Sequence, residues 1–429
     1  MKVIIHGGAN QIGGNCVELV SGNTKLIIDI GIPITNEDGS LFNTDITCGE
    51  ELLAKGILPS VNGLYKWDGN PVIDGILISH YHLDHYGWLR YVHPDIPCYL
   101  GQVSHKMMNM LKIINKEWEE IPQNPVYINS WKSFSIGNIL ITPYLIDHSA
   151  CDSYIFLVEA DGKRIVYTGD FRSHGRKGKL FKSFLKQCPL PVDLLLVEGT
   201  AIGDEYSKVM TEEEGEERIF EICKNTEGFI FGFSSTQNID RIVSFYKAAL
   251  RSGRTLVIDP YQAYVLDQID GKVPKVNGSY KIRVSYHSPI SNMIADAGNK
   301  DILYRYKDYK VTEEEMQSEP GKYLLLVRNT MLGSMEKLGN LEGAKLIYSM
   351  WQGYKEGEKI RTFLRSLEDA GVIVEDVHSS GHASFDTVKE LIDTLKPAQV
   401  VPIHTEHWEI FENFSDNVIE PRKGLVVSL

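Results

Sequence analysis

Apolar and polar positions alternate along the first half of the chain in short runs that predict strands. KLIIDIG (25–31), VIDGILIS (72–79) and ILITPYLI (139–146) are apolar and rich in β-branched residues. SYIFLVEADGKRIVYTGD contains two such runs joined at Asp161-Gly162, a pair typical of a tight hairpin turn. VDLLLVEG (192–199) is almost continuously apolar, which indicates a strand buried on both faces.

In the second half the pattern changes to an alternation of helical and strand-like segments. Thr211 and Glu214 have the spacing of a capping box, which predicts a helix start in TEEEGEERIFEICKN. GFIFGFS (228–234) and TLVIDP (255–260) are strand-like, and IDRIVSFYKAALRSG between them has helical periodicity. This alternation favours an α/β domain with parallel strands.

Three strand-like runs close the chain, at residues 372–377, 398–404 and 424–429. SFDTVKELIDTLK, between the first two, is predicted to be helical. A chain of 429 residues is too long for one ordinary core and fits two or three domains.

Composition indicates a soluble globular protein. Apolar residues make up 43% and charged residues 24% of the chain. The formal net charge of −13 argues against a surface that coats nucleic acid everywhere, although it is compatible with a local basic groove. No apolar run fits a membrane span or a signal-peptide core, and the six cysteines are scattered without a CxxC pair. We therefore expect a cytoplasmic protein with no membrane partner and reduced thiols.

The stretch SHYHLDHYG (79–87) carries the clearest chemical signal. It places His80, His82, Asp84 and His85 in the spacing H-x-H-x-D-H, directly after an apolar run. Imidazoles and a carboxylate suit zinc. Because neighbouring positions of a loop face different ways, this one segment can serve two adjacent ions. The sequence therefore predicts a metal site here.

Further candidate ligands follow other predicted strands. His148 follows ILITPYLID, Asp170 follows RIVYTG, and His404 follows AQVVPI. An active site at a sheet edge collects side chains from strand ends. Each of these residues alone would be an ordinary loop residue, but together with the first cluster they supply the missing coordination positions.

Several of these segments resemble the metallo-β-lactamase superfamily: GGANQIGGNC, LIIDIG, SHYHLDH, the region of His148, and TGD. Four others resemble more narrowly the β-CASP nucleases, the group that includes ribonuclease J and the cleavage-and-polyadenylation endonuclease. These are VEGT with Glu198, FSSTQNIDRI (233–242), SSGHAS with His382, and PIHTEH with His404.

The resemblance implies an α/β fold, a metallo-β-lactamase αββα sandwich with an inserted α/β β-CASP domain. Residues 1–203 would form the first part of the sandwich domain. Residues 204–371 would form the insertion, and residues 372–429 the return to the sandwich.

The resemblance also implies two zinc ions per chain, bridged by Asp170 and supported by Asp29 behind the ligand loop. The other ligands would be His80, His82 and His148 for one ion, and Asp84, His85 and His404 for the second.

Phosphodiester hydrolysis is the activity that the resemblance implies, with two metals activating the attacking water. His382 is the candidate acid for the leaving 3′-oxygen, and Glu198 would orient its imidazole and raise its pKa. Asp84 and Asp170 complete the predicted catalytic set. The alternative for Glu198 is a strand-end carboxylate with no catalytic role.

The predicted substrate is single-stranded RNA, bound in the cleft between the domains. In the family, RNA-processing members have histidine at the position of His404, whereas DNA-repair members have an aliphatic residue. Ser234, Ser235 and Ser384 lie in segments that resemble those binding a phosphate in ribonuclease J. A grip on a 5′-monophosphate would make a 5′-to-3′ exonuclease, and an endonuclease is the other mode. These serines serve turns or helix caps in the alternative interpretation.

A basic loop follows Asp170 and offers contacts to backbone phosphates, or else is an ordinary solvated loop. Its residues are Arg172, Arg176, Lys177 and Lys179.

Two other functions stay open at this point. One is a hydrolase on the same scaffold that acts on single-stranded DNA or a small ester, which the long insertion and SSGHAS disfavour. The other is a noncatalytic RNA-binding subunit, but inactive relatives usually lose ligands and here all seven positions are filled. The oligomeric state is also open, with a homo-oligomer as one alternative.

Overall fold

The computed structural model describes residues 1–36, 40–42, 48–203 and 209–429. The strands in chain order are β1 (Lys2–Gly7), β2 (Cys16–Ser21), β3 (Thr24–Ile28), β4 (Gly75–Leu77), β5 (Cys98–Leu100), β6 (Pro125–Tyr127), β7 (Phe134–Ile136), β8 (Ile139–Ile146), β9 (Ser153–Ala160), β10 (Lys163–Tyr167), β11 (Leu194–Glu198), β12 (Ile230–Phe233), β13 (Thr255–Ile258), β14 (Ile282–Val284), β15 (Tyr323–Val327), β16 (Lys345–Tyr348), β17 (Ile373–Asp376), β18 (Gln399–Ile403) and β19 (Leu425–Ser428).

The α-helices in chain order are α1 (Gly49–Ala54), α2 (Leu83–Tyr86), α3 (Gln102–Met108), α4 (Lys179–Gln187), α5 (Glu212–Lys224), α6 (Ile239–Arg251), α7 (Pro260–Asp267), α8 (Ser288–Asp296), α9 (Lys300–Arg305), α10 (Glu313–Ser318), α11 (Leu332–Glu336), α12 (Glu358–Asp369) and α13 (Phe385–Leu395). Among the described residues, no helix combines the length and the apolar character that crossing a bilayer requires.

Two sheets packed face to face form the first domain. One has the order β19-β1-β2-β3-β4-β5-β6, and the other has the order β18-β11-β10-β9-β8-β7. Side chains such as Leu19 and Phe156 fill the core between them. Helices α4 and α13 cover the outer face of the second sheet, and the helices after β3 and β4 lie on the outer face of the first. The predicted αββα sandwich is confirmed.

Strand β11 shows why LLLV, residues 194–197 of the run VDLLLVEG, is continuously apolar. It has parallel neighbours on both sides, β10 and β18. Leu194 and Leu196 point into the core between the sheets, whereas Leu195 and Val197 pack beneath α4 and α13 on the outer face. A strand covered on both faces requires apolar residues at every position.

The second domain is built on a six-stranded, all-parallel sheet with the order β14-β13-β15-β12-β16-β17. Helix α6 packs on one face through Phe245, and α12 packs on the other through Phe363. The predicted start of α5 is confirmed, because Thr211 and Glu214 form a reciprocal capping box.

One predicted domain boundary is wrong. Strand β17 pairs in parallel with β16 in the second domain's sheet, so the return to the first domain begins after Asp376 and not at Val372. Strand β17 is an edge strand, and its short apolar run does not by itself reveal which sheet it joins. The other predicted boundary, at residue 204, lies outside the described residues.

Contacts between the domains fix the carboxyl edge of the parallel sheet over the first domain. The Tyr81 hydroxyl donates to the Gln237 carbonyl at 3.1 Å, shortly after β12. Tyr81 lies between His80 and His82 in the chain, so this contact joins the second domain directly to the histidine-rich loop. The carboxyl edge of the parallel sheet therefore lies next to that loop.

Candidate metal centre

The histidine-rich loop follows β4 and leads into α2. Gly31 allows this loop to pack closely against the segment after β3. A Cβ at Gly31 would overlap the Asp84 carbonyl oxygen, so only glycine allows the segment after β3 to approach so closely. Backbone hydrogen bonds from Ile30 to the His85 carbonyl (2.8 Å) and from Ile32 to the Leu83 carbonyl (3.0 Å) lock the loop in place.

The first group of side chains places three imidazoles around Asp170. Potential ligand atoms of all four residues lie within 4.8 Å of one another. His148 Nε2 is 3.1 Å from His82 Nδ1, and His80 Nε2 is 3.7 Å from Asp170 Oδ2. This group consists of His80, His82, His148 and Asp170.

The second group shares Asp170 with the first. His85 Nε2 is 3.2 Å from Asp170 Oδ2, and His404 Nε2 is 3.1 Å from Asp84 Oδ2. Potential ligand atoms again lie within 4.8 Å of one another. The structure thus brings the seven predicted ligands together in two sets with Asp170 common to both, the arrangement expected for two adjacent ions.

The buried polar atoms of this site fit a bound cation. Within the described ranges, both carboxylate oxygens of Asp170 and the Nε2 atoms of His80 and His85 are buried without a hydrogen-bond partner. A buried carboxylate without compensation is strongly unfavourable. Imidazole nitrogens and carboxylate oxygens are also the donors that zinc prefers. The residues present therefore fit a metal centre.

Electrostatics favour the protonation states that metal ligation requires at His80, His82 and Asp84. Burial, reinforced by His85 and His148, lowers the pKa of His80 well below its usual value. Burial likewise lowers the pKa of His82 to about 4. Although burial opposes it, the hydrogen bond with His404 and the charge of His85 lower the pKa of Asp84 to about 2. Near neutral pH His80 and His82 are therefore neutral and Asp84 is ionised. Although burial opposes it, the carboxylates of Asp170 and Asp29 raise the pKa of His85 well above its usual value, so this imidazole must give up a proton when it binds a metal.

Asp29 supports the site from behind. Its Oδ2 lies 2.8 Å from His85 Nδ1, 2.8 Å from Ser79 Oγ and 2.7 Å from the Tyr167 hydroxyl. Its Oδ1 accepts from the Ser79 backbone N–H at 2.7 Å. Its backbone φ of 58° lies in the left-handed region, which aspartate tolerates better than most residues. This carboxylate orients His85 so that Nε2 faces Asp170.

Two other ligands have comparable supports. His148 Nδ1 donates to the Gly381 carbonyl at 2.6 Å, and His404 Nδ1 lies 2.7 Å from Thr200 Oγ1. Sequence reasoning missed Thr200, Ser79 and Tyr167. Hydroxyl residues are common, and only tertiary contacts distinguish these three from any others.

Glu198 and His382 lie at the edge of the same site. His382 Nδ1 is 3.4 Å from Glu198 Oε2 and 3.5 Å from Asp170 Oδ2. Although burial opposes protonation, the carboxylates of Glu198 and Asp170 raise the pKa of His382 to about 9. Backbone N–H groups of Ala383 (3.0 Å) and Thr200 (3.0 Å) donate to Glu198. Glu198 therefore orients the His382 segment and favours the imidazolium form.

Among the predicted phosphate-binding serines, Ser384 has a structural task. Its side chain caps α13 by accepting from the Thr387 backbone N–H at 3.3 Å. Ser234 and Ser235 follow β12 at the carboxyl edge of the parallel sheet, half-buried and exposed respectively. Capping thus accounts for Ser384, and the two other serines lie at the carboxyl edge of the parallel sheet.

The RNA-binding role predicted for Arg172 is wrong. Arg172 is fully buried, with Nη2 2.7 Å from Asp240 and Nη1 3.2 Å from Glu212. A guanidinium that is enclosed by carboxylates cannot reach a phosphate. It instead joins the domains, because Asp240 and Glu212 belong to α6 and α5.

The rest of the basic loop is partly engaged within the protein. Arg176 pairs with Glu216 at 2.8 Å, and Lys177 Nζ donates to the Cys151 carbonyl at 3.2 Å. Lys179 is exposed at the start of α4. Of the four basic residues, Lys179 is the most exposed to solvent.

Comparison with known proteins places two segments of the chain in described families. Residues 46–224 match a β-lactamase superfamily domain, and residues 372–410 match a Zn-dependent metallo-hydrolase RNA specificity domain. The first match covers most of the first part of the sandwich domain and extends through α5, and the second begins at β17 and covers most of the return to the sandwich.

Curated relatives align along nearly the whole chain. Ribonuclease J of Mycoplasma genitalium is 23% identical over 424 residues, which cover 94% of this chain and 68% of that protein. Ribonuclease J of Pyrococcus abyssi is 23% identical, with 95% and 90% covered. The RNase J-like protein of Methanocaldococcus jannaschii is 23% identical, with 94% and 92% covered.

A solved structure shows the same fold. It is described as a protein of unknown function from Enterococcus faecalis V583, is 21% identical, and superposes with a TM-score of 0.80. The match covers 100% of this chain and 99% of that chain. Both domains and their arrangement therefore recur in a second protein.

Proposed function

Because this chain belongs to the metallo-β-lactamase superfamily, in its β-CASP ribonuclease J-like branch, we propose that it is a zinc-dependent ribonuclease that hydrolyses phosphodiester bonds of single-stranded RNA. The main support for this proposal is the arrangement of side chains around Asp170. Two ligand sets share Asp170, and the Glu198–His382 pair approaches that same carboxylate.

Two zinc ions per chain are part of this proposal. His80, His82 and His148 would hold one, Asp84, His85 and His404 would hold the other, and Asp170 would serve both. When bound, zinc lowers the pKa of a water molecule and neutralises charge on the phosphate. The orphaned, buried atoms of Asp170, His80 and His85 support the assignment.

The protein's own groups then handle the leaving 3′-oxygen. His382, held as an imidazolium by Glu198 and Asp170, donates the proton that this oxygen needs. Three backbone N–H groups fix Glu198, those of Phe171, Thr200 and Ala383. Glu198 therefore holds the imidazole and does not itself exchange protons with the substrate.

We also propose the direction in which the RNA strand is cleaved. Ser234 and Ser235 lie at the carboxyl edge of the parallel sheet, where doubly wound sheets bind ligands. With Ser384 at the start of α13, they would grip a 5′-monophosphate and direct 5′-to-3′ exonuclease cleavage. Lys179, which is exposed at the start of α4, would contact phosphates further along the strand. We place the protein in the cytoplasm, which suits its six free cysteines.

The test compares single-stranded RNAs with 5′-monophosphate, 5′-triphosphate and 5′-hydroxyl ends and single-stranded DNA, each labelled at either end. Zinc-loaded protein should degrade the RNAs, and mononucleotides released first from the 5′ end of monophosphorylated RNA would establish the exonuclease mode. Asp84→Ala is the inactive control. Intact RNA over a range of pH and with manganese added, together with activity on a thioester panel, would replace the proposal by small-ester hydrolysis.

A further inference from the structure

Two exposed aromatic side chains lie close together after β16, in a segment that no metal ligand or catalytic residue occupies. Trp351 is 45% exposed and Tyr354 is 38% exposed. Their ring centroids are 5.3 Å apart with the planes at 88°. Large aromatic side chains are costly to expose, and a contiguous pair commonly marks a binding surface.

The backbone holds the Trp351 ring in a defined position. A Cβ at Gly353 would overlap the six-membered part of the indole, so the ring lies against this glycine. Tyr354 donates its backbone N–H to the Trp351 carbonyl at 3.2 Å, and the Tyr348 hydroxyl donates to the same carbonyl at 3.2 Å. One side of the indole therefore rests on the backbone of its own turn, the Tyr354 ring packs against it edge-on, and 45% of the residue remains exposed.

The pair follows β16 at the carboxyl edge of the parallel sheet. Strand β16 pairs with β12, and Gln237 shortly after β12 contacts Tyr81 of the ligand loop, so the aromatic pair lies at the edge of the second domain that meets this loop. The Ser349 hydroxyl, two residues before Trp351, donates to the Val377 carbonyl in the segment that leads to His382. Leu83, between His82 and Asp84 in the chain, is itself 51% exposed. Apolar surface thus adjoins the reactive edge on both domains.

We propose that Trp351 and Tyr354 form a stacking platform for one nucleobase of the substrate, adjoining the phosphate that is cleaved. The proposal rests on the proposed ribonuclease function and deepens it. A single strand presents unpaired bases whose faces stack on aromatic rings without regard to sequence. In a chain with a net charge of −13, such stacking supplies affinity that phosphate contacts alone would give weakly.

The platform also predicts a preference among phosphodiesters. An oligonucleotide made only of abasic ribose phosphates presents phosphodiesters without bases to stack. Trp351→Ala should therefore weaken binding of RNA, and raise KM for RNA, far more than it weakens binding of the abasic strand.

The test measures binding of a 5′-monophosphorylated ten-nucleotide RNA by fluorescence anisotropy, with full-length zinc-loaded His382→Ala protein as the noncleaving parent. Adding Trp351→Ala should weaken binding about 5- to 150-fold, as expected for the loss of one base–aromatic stack. Trp351→Phe should keep most of the affinity, and Trp351→Leu should not. Trp131→Ala is the matched control, because Trp131 is 40% exposed and packs edge-on against Tyr144 of β8.

RNAs with a single abasic nucleotide at successive positions locate the stacked base. At one position, the abasic change should weaken binding to the parent and have no further effect on the Trp351→Ala variant. Equal binding by parent and variant, or equal abasic losses in both, would overturn the platform. A change in oligomeric state with unchanged RNA affinity would instead identify the aromatic pair as a contact between copies. Failure of the wild-type protein to bind or cleave RNA would remove the ribonuclease proposal and the platform with it.

Discussion

Replacing Asp29 by asparagine tests how far the metal centre depends on a carboxylate that touches no metal. Asp29 Oδ2 faces His85 Nδ1, Ser79 Oγ and the Tyr167 hydroxyl, and Oδ1 faces the Ser79 backbone N–H. An ionised carboxylate accepts from every one of these donors. Asparagine has nearly the same shape but turns one acceptor into an NH₂ donor.

Either orientation of the new amide leaves a conflict. With NH₂ in place of Oδ2, it meets the donors of His85, Ser79 and Tyr167. With NH₂ in place of Oδ1, it meets the Ser79 N–H at the start of the ligand loop. Loss of such a support typically reduces metal affinity 10- to 100-fold, which corresponds to about 1.4–2.7 kcal/mol. We expect this loss for Asp29→Asn, without unfolding.

The assay is a competitive zinc titration against a chromophoric chelator, with circular dichroism to confirm folding. Asp95→Asn is the matched control, since Asp95 also neighbours a histidine (3.8 Å from His93 Nδ1) but its side chain is 78% exposed. If folded Asp29→Asn protein binds zinc within a factor of two of the wild-type affinity, Asp29 does not support the metal centre. An equal loss of zinc affinity in Asp95→Asn would contradict this role as well.

Three further predictions follow from the same structure. His382→Ala should retain the wild-type zinc content by elemental analysis and lower RNA turnover by about 10²–10⁴-fold, because it removes the proton donor and no ligand. Removing zinc with a chelator should stop RNA cleavage and lower Tm, with both restored by added zinc; an unchanged Tm would mean that the metal does not stabilise the fold. Despite its burial, Arg241 and Arg172 lower the pKa of Glu212 from 4.5 to about 2. Its contribution to stability is therefore fully present above pH 4.5 and is lost as pH falls towards 2. Glu212→Gln should lower the free energy of unfolding by about 3 kcal/mol at neutral pH. It should also flatten the dependence of this free energy on pH between about 4.5 and 2, as measured by denaturant titration.

The candidate metal ligands can be predicted from the sequence because their signals are local. His80, His82, Asp84 and His85 lie within six positions, and His148 and Asp170 each follow a recognisable apolar strand. The parallel neighbours of β11 explain why the run before Glu198 has no polar position. Strand ends meet at one edge of a sandwich, so the predicted residues converge there.

The features that the sequence did not predict share a different cause. Arg172 lies in a basic loop next to a ligand, but its burial depends on Glu212 and Asp240, which are 40 and 68 residues away in the chain. The supporting hydroxyl of Tyr167 and the exposed indole of Trp351 likewise have no distinguishing pattern in the sequence. Burial of a charged or aromatic side chain is decided by tertiary packing, which periodicity does not encode.

Stepwise addition of zinc to metal-free protein, with the initial rate of single-stranded RNA cleavage measured at each step, tests whether this chain is a ribonuclease that needs two zinc ions. We expect no cleavage without metal and a rise to a plateau at two equivalents of zinc per chain, with no cleavage by Asp84→Ala at any zinc concentration. Full cleavage by metal-free protein, or no cleavage by folded protein carrying two zinc ions, would contradict it.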